Sequence, residues 1–146
     1  MPEKRTIERA RTAKRQGKSP TTQAGAFVHE EIEHIREGKH GARSAKQAIA
    51  IGLSKARRAG VKLPPPPKSA SARAKRAARR DSATAGKSRR KSPARSRAAK
   101  EALRDEPRSA ASSTALSRQA KAAARRRPAK ARTAAAKKAA RTRARR

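Results

Sequence analysis

The helical pattern of this chain is clearest in residues 24–56, which read AGAFVHEEIEHIREGKHGARSAKQAIAIGLSKA. In the first part of this stretch apolar side chains recur at spacings of four, four and three, which places them on one face of a helix. They are Ala24, Val28, Ile32 and Ile35, with Phe27 beside them. Ser19 to Thr22 offer N-caps before this helix, and Gly38 is a typical residue to end it.

A second helix is predicted after Ser44, which stands three residues before Gln47 in the spacing of a capping box. Its apolar stripe is formed by Ala45, Ala48, Ile49, Gly52, Leu53 and Ala56. The small residues in this stripe allow a partner helix to approach closely, and Gly60 ends the helix. The sequence therefore predicts an αα-hairpin of about forty residues.

Composition limits how much of the remaining chain is expected to fold. The 146 residues include 43 Lys plus Arg against 10 Asp plus Glu, a formal net charge of +33, and 36 of them are Ala. Only twelve are Leu, Ile, Val or Phe, and ten of these lie at or before Leu63. So few large apolar residues on a highly charged chain predict disorder. We therefore expect a mostly α fold, with a short αα-hairpin followed by a long disordered basic tail that becomes helical on binding a polyanion.

Charge and proline divide the chain into four expected regions. Residues 1–18 form a basic N-terminal helix or arm, with the helix itself over 3–16, and residues 19–63 form the hairpin domain. Residues 64–67 are four consecutive prolines, which favour an extended polyproline II linker. Residues 68–146 form the Ala-, Lys- and Arg-rich tail.

Several classes of function are expected to be absent. Without cysteine the chain has no thiol nucleophile, and no serine has a credible base. His29 and His34 are five residues apart and diverge on a helix, unlike the paired histidines of a zinc protease, and nothing in the sequence completes a site around Glu30 and His34. We expect no enzyme activity, no metal and no cofactor. With no apolar run that could span a bilayer, the expected location is cytoplasmic and nucleoid-associated, without membrane contact.

The turn of the hairpin is a candidate phosphate site, formed by Gly38, Lys39, His40, Gly41 and Arg43. Its G-x-x-G spacing between two helices resembles the phosphate-clamping loop of the KH nucleic-acid-binding domains. In this interpretation the glycines let the backbone approach a phosphate, the following helix offers N–H groups, and Lys39 and Arg43 supply charge. The alternative is structural: Gly38 ends a helix and Gly41 is a turn residue.

The acidic stretch of the first helix and one exposed isoleucine leave further alternatives open. Glu30, Glu31, Glu33 and Glu37 are expected to form a solvated or intramolecularly paired face opposite the basic second helix, or else to compete with nucleic acid for the tail. Ile51 points away from the apolar stripe. It is either a scattered surface residue or the contact of a homodimer formed through the hairpin.

Further cations at the end of the hairpin and along the tail are expected to contact nucleic acid. They are Lys55, Arg57, Arg58, Lys75, Arg76, Arg79, Arg80, Arg89, Arg90, Lys91, Arg95, Arg125, Arg126, Arg127, Lys130, Lys137 and Lys138. Such a chain binds phosphates with little selectivity. Double-stranded DNA is the expected partner, because Phe27 is the single aromatic residue available for stacking on single strands. RNA or ribosome binding is one alternative, and a protein-interaction module with an electrostatic anchor is another.

Two resemblances accompany these patterns. The tail, with Ala135-Ala-Lys-Lys-Ala-Ala140 its most typical fragment, is similar to linker-histone C-terminal tails and to the Lys- and Ala-rich arms of bacterial histone-like proteins. That resemblance implies an architectural DNA-binding protein. Residues 19–63 resemble a small bacterial domain family of unknown function, above all over 30–44 and 46–60. This second resemblance implies a bacterial source and supplies no activity.

Overall fold

The computed structural model describes residues 2–87 and 92–144, and most of these residues are helical. They contain seven α-helices and one 3-10 helix, Arg108–Ala111, which lies between α5 and α6. The α-helices are α1 Lys4–Arg15, α2 Pro20–Arg36, α3 Ala45–Arg58, α4 Ala72–Ala83, α5 Pro93–Arg104, α6 Ser113–Arg125 and α7 Ala129–Ala144. None of the described helices has the length and apolar content needed to cross a bilayer.

Local signals fix the ends of α2 and α3 where the sequence places them. The side chain of Ser19 accepts a hydrogen bond from the Thr22 N–H, and that of Ser44 accepts one from the Gln47 N–H. Gly38 has φ 77° after α2, a left-handed conformation that glycine adopts without steric cost. The two predicted helices and the turn between them are therefore confirmed.

One end of the core lies between α1, α2 and α3. Phe27 is 1% exposed and packs with three buried alanines, Ala10, Ala24 and Ala56. The helices α2 and α3 come closest at Gly52, where an added Cβ would lie 2.7 Å from the Cα of Val28. Glycine is thus required at this position by close packing of the two backbones.

The other end of the core contains residues from the second half of the chain. Ile35, Ala42 and Ala48 of the hairpin are buried together with Ala110 and Ala111 of the 3-10 helix. The side chain of Arg36 also donates a hydrogen bond from Nε to the carbonyl of Ala111, at 3.1 Å. The turn end of the hairpin is thus completed by residues about seventy positions later in the chain.

Helix α4 packs on α3 after the prolines at 64–67, which lie in a stretch without regular secondary structure. Its Asp81 accepts a 2.5 Å hydrogen bond from the Ser54 hydroxyl and lies 3.8 Å from Nε of Arg58. Helix α6 packs on the 3-10 helix and on α3. The boundaries predicted at 18/19, 63/64 and 67/68 stay predictions.

The expectation of a short hairpin followed by a long disordered tail is wrong. The chain is helical in most of the described residues beyond 68, and parts of this region pack on the hairpin. The prediction of disorder rests on the scarcity of large apolar residues, whereas the buried residues of this region include Ala78, Ala110 and Ala111. A buried alanine loses almost no side-chain entropy, so a small contact area is sufficient to hold it.

Candidate nucleic-acid interface

The backbone amides of the hairpin turn are hydrogen-bonded to a later part of the same chain. The N–H of Gly41 donates to the carbonyl of Leu103 at 2.7 Å, and the N–H of Ala42 donates to the carbonyl of Pro107 at 3.1 Å. We call Leu103–Ala111 the docked segment. These two amides of the turn are therefore already bonded to carbonyl groups of the docked segment.

The glycines of the turn are also in close contact with the docked segment. A Cβ on Gly41 would overlap the carbonyl oxygen of Glu106, and one on Gly38 would lie 2.9 Å from Nη1 of Arg108. The sequence predicted that a phosphate approaches the turn at Gly41, whereas in the structure the chain's own backbone lies there. A phosphate at this turn would have to displace the docked segment.

The cations of the turn take part in ion pairs. Nη2 of Arg43 lies 3.3 Å from Oε1 of Glu106, although the Arg43 side chain is 82% exposed. Nζ of Lys39 lies 2.9 Å from Oε2 of Glu37 and 3.8 Å from Glu3. The hydrogen bond between Lys39 and Glu37 raises the pKa of Lys39 and lowers the pKa of Glu37.

The predicted contacts at the end of α3 lie in three different environments. Lys55 faces inward, with Nζ 2.5 Å from Oε2 of Glu31 and 3.5 Å from Oε1 of Glu30. Arg57 donates to the carbonyl of Pro64 at 3.2 Å. Arg58 is exposed and pairs with Asp81. Arg57 and Arg58 lie near the surface, whereas Lys55 neutralises buried carboxylates.

The cations of α4 occupy the side of the helix that faces away from the hairpin. At 100° per residue, the five basic side chains of α4 fall within an arc of about 160° that excludes the buried Ala78 and Asp81. They are Arg73, Lys75, Arg76, Arg79 and Arg80, of which Lys75 is half-buried and donates to the carbonyl of Lys68. Helix α4 thus packs through one face and presents a continuous basic surface on the other.

Helix α7 is exposed along its whole described length and carries cations on two sides. Lys130, Lys137 and Arg141 lie within about 40° of one another around the helix axis, and Arg132 and Arg143 lie on the opposite side. The other predicted tail contacts that the structure describes are also exposed: Arg95, Arg125, Arg126, Arg127 and Lys138. Arg89, Arg90 and Lys91 lie outside the described residues.

Sequence reasoning did not include the cations of α1 among the candidate contacts. The exposed side chains of this helix include Lys4, Arg5, Arg9, Arg11, Lys14 and Arg15. The signal for them was the same as for the tail: basic residues around a small apolar stripe, here Ile7 and Ala10. With α1 included, exposed basic surface extends over helices in both halves of the chain.

Acidic side chains are largely used in internal ion pairs, whereas most cations are not. Seven of the ten carboxylates make ion pairs: Glu3, Glu30, Glu31, Glu33, Glu37, Asp81 and Glu106. Thirty-eight of the 43 Lys and Arg residues lie in the described ranges, and six of them make ion pairs there: Arg5, Arg36, Lys39, Arg43, Lys55 and Arg58. Within those ranges 32 Lys and Arg side chains are not in an ion pair. The acidic stretch of α2 is internally paired, which was one of the two expected arrangements.

Comparison with known proteins gives one match. Residues 11–69 match the protein family described as "Family of unknown function (DUF6496)". This region contains the last five residues of α1, the hairpin and the prolines, so the resemblance of the hairpin to a family of unknown function is confirmed. The resemblance of the tail to histone tails stays a prediction. No curated protein and no solved structure matches the chain.

Proposed function

We propose that this protein binds double-stranded DNA largely independently of sequence, as a histone-like, nucleoid-associated architectural protein. The observation that carries the proposal is the separation of charge: seven of the ten carboxylates are paired internally, and 32 described Lys and Arg side chains are left outside ion pairs. Such cations release counterions from a duplex when they neutralise its phosphates, which provides affinity without base contacts.

The placement of cations on several surfaces supports bridging of two duplexes. The basic arc of α4 faces away from the hairpin, and α7 carries Lys130, Lys137 and Arg141 on one side with Arg132 and Arg143 on the other. If one duplex binds on each side of α7, phosphates neutralise both sets of cations. Bridging and screening of DNA follow from this arrangement without a recognition helix.

The position of the only aromatic side chain supports a preference for duplexes. Phe27 is 1% exposed between helices, so it is not accessible for base stacking. Proteins that bind single strands stack the bases on exposed aromatic side chains, and most sequence-specific RNA-binding modules do the same. The proposed contacts are therefore backbone phosphates of a double helix.

The test is a salt titration of the full chain on a labelled duplex, measured by fluorescence anisotropy. We compare the wild type with the triple variant Lys130→Gln, Lys137→Gln and Arg141→Gln. Each of these three cations that contacts a phosphate contributes about 0.9 to the slope of log affinity against log salt, so loss of all three reduces its magnitude by about 2.7. The matched control, Lys130→Arg, Lys137→Arg and Arg141→Lys, keeps the charge and should retain both slope and affinity.

Two results would contradict the proposal. Tight binding that persists in molar sodium chloride would show that phosphate neutralisation is not the source of affinity. Equal effects of the neutralising and the charge-conserving variants would show that α7 acts through something other than charge.

Competition at matched salt distinguishes DNA from RNA. Unlabelled duplex DNA should displace the labelled duplex more effectively than structured RNA does. Stronger competition by RNA would reassign the protein to RNA or ribosome binding. Specific recovery of one protein by the full chain from nuclease-treated extract, with no nucleic acid bound, would instead favour an interaction module.

A further inference from the structure

Three side chains able to bind a metal ion meet at the end of α2. Glu31, His34 and His40 each offer a ligand atom, and these atoms all lie within 4.8 Å of one another. Glu31 and His34 are three residues apart on α2 and therefore share a face of the helix. Gly38, with φ 77°, turns the chain back so that His40 reaches the same place.

The carboxylate of this cluster is buried, and its two oxygens face different partners. The Glu31 side chain is 1% exposed, and Nζ of Lys55 lies 2.5 Å from its Oε2. The other oxygen, Oε1, lies 3.3 Å from Nε2 of His40. Oε2 is thus neutralised by a lysine, while Oε1 faces a ring nitrogen.

The hydrogen bond of His40 determines which of its nitrogens has the lone pair. Nδ1 of His40 lies 3.0 Å from the carbonyl oxygen of Gly41, which only accepts, so Nδ1 carries the hydrogen. In the neutral ring Nε2 is then an acceptor, and it faces Oε1 of Glu31, which is also an acceptor. A positive ion between the two atoms removes this repulsion.

His34 is also oriented by a hydrogen bond, in its case to a carboxylate. Its Nε2 lies 3.1 Å from Oε1 of Glu3, to which it donates, so the lone pair of the neutral ring is on Nδ1. Both histidines therefore use one nitrogen to donate to an oxygen and keep the other as a ligand. A carboxylate or backbone carbonyl behind each histidine is the usual outer shell of a metal site.

We propose that Glu31, His34 and His40 bind one divalent transition-metal ion, with Zn²⁺ the best match. Two imidazoles and one carboxylate form a ligand set that suits zinc, with water in the fourth position. Glu31 binds through Oε1 alone, and Lys55 stays on Oε2. The ion joins α2 to the turn and, through Glu3, to the start of α1.

This site was not expected from the sequence, which predicts no metal. Within one helix, neither the spacing of His29 and His34 nor that of Glu30 and His34 gives a complete metal site. His29 is exposed on α2 and is not in the cluster. The missing ligand, His40, reaches the cluster only because of the turn at Gly38.

Calorimetric titration of the full chain with ZnCl₂, after removal of metal with a chelator, tests the proposal. We expect one ion per chain and loss of binding in Glu31→Gln, His34→Gln and His40→Gln. The matched control His29→Gln, on the same helix, should bind as the wild type does. Glu3→Gln, which removes the outer-shell partner of His34, should weaken binding by about 10- to 100-fold.

A second measurement on the wild type keeps the test valid if a variant fails to fold. The chain has three histidines, so their ring signals can be followed individually by NMR during the titration. Zn²⁺ should shift those of His34 and His40 at one equivalent and leave that of His29 in place. No saturable binding by the wild type, or equal shifts of all three histidines, would overturn the proposal.

Discussion

The two halves of the chain use their residues in different ways. Residues 2–63 contain ten of the twelve large apolar side chains, and seven of these ten lie in or against the two core clusters of Phe27 and Ile35. Residues 68–144 contribute three alanines and one aspartate to the buried set, namely Ala78, Ala110, Ala111 and Asp81. A Lys-, Arg- and Ala-rich segment can thus dock through a few small residues while its cations stay in solvent.

The largest loss of stability is expected from a substitution in the part of the second half that is buried in the core. Ala111→Asp places a carboxylate at a position that is 1% exposed, beside Ile35 and Ala48. A buried charge without a partner costs at least about 3 kcal/mol, so we expect the free energy of unfolding to fall by that amount. Urea denaturation followed by circular dichroism measures it.

The control for this variant is the same change on exposed α7. Ala135→Asp meets solvent on all sides and should cost less than about 1 kcal/mol, mainly through helix propensity. If Ala111→Asp and Ala135→Asp were equally mild, the docked segment would contribute nothing to stability, and the two halves would be independent.

A smaller effect is expected within the first half, at the closest approach of α2 and α3. Gly52→Ala places a Cβ 2.7 Å from the Cα of Val28 and forces the helices apart, at a cost of about 1 to 3 kcal/mol. Gly25→Ala, also in a helix but with no neighbour within 4 Å, should instead stabilise by about 0.5 to 1 kcal/mol. Thermal unfolding of both variants measures the difference, and equal signs would show that Gly52 is not a packing glycine.

The smallest effect is expected from the surface pair of Glu37 and Lys39. The hydrogen bond from Lys39 lowers the pKa of Glu37 below 4.5, so the stabilisation is complete above that value and is lost as pH falls through the folded pKa. An NMR titration of the Glu37 carboxyl should give a midpoint below 4.5. Lys39→Gln should return that midpoint toward 4.5, and an unchanged midpoint would show that the pair is not formed in solution.

The first half was predictable because its signals are local. Ser19 and Ser44 cap helices within three residues of their own position, and Gly38 stops one at its own position. The docking of the second half depends on contacts between residues far apart in sequence, such as Arg36 with Ala111. An alanine in an Ala-rich stretch gives no periodic signal that separates a buried position from an exposed one.

The residues of the candidate sites were likewise predictable only where their positions do not depend on contacts between distant parts of the chain. The exposed cations of α4 and α7 follow from composition, since few carboxylates are present to pair with them. The inward position of Lys55 depends on which face of α3 meets Glu31, and the sequence pattern did not distinguish it from Arg58. The role of His40 depends on the path of the turn, which sequence spacing does not specify.

The docked segment also affects the order of events during synthesis. Ala111 covers Ile35 and lies 75 residues after Arg36. The hairpin is complete at Arg58, which precedes Ala111 by 53 residues. At about 5–20 residues per second, the ribosome needs on the order of 3 to 11 s to make that length. Throughout this interval the nascent hairpin presents an uncovered apolar patch at its turn, where chaperones or other nascent chains have time to bind before the fold closes.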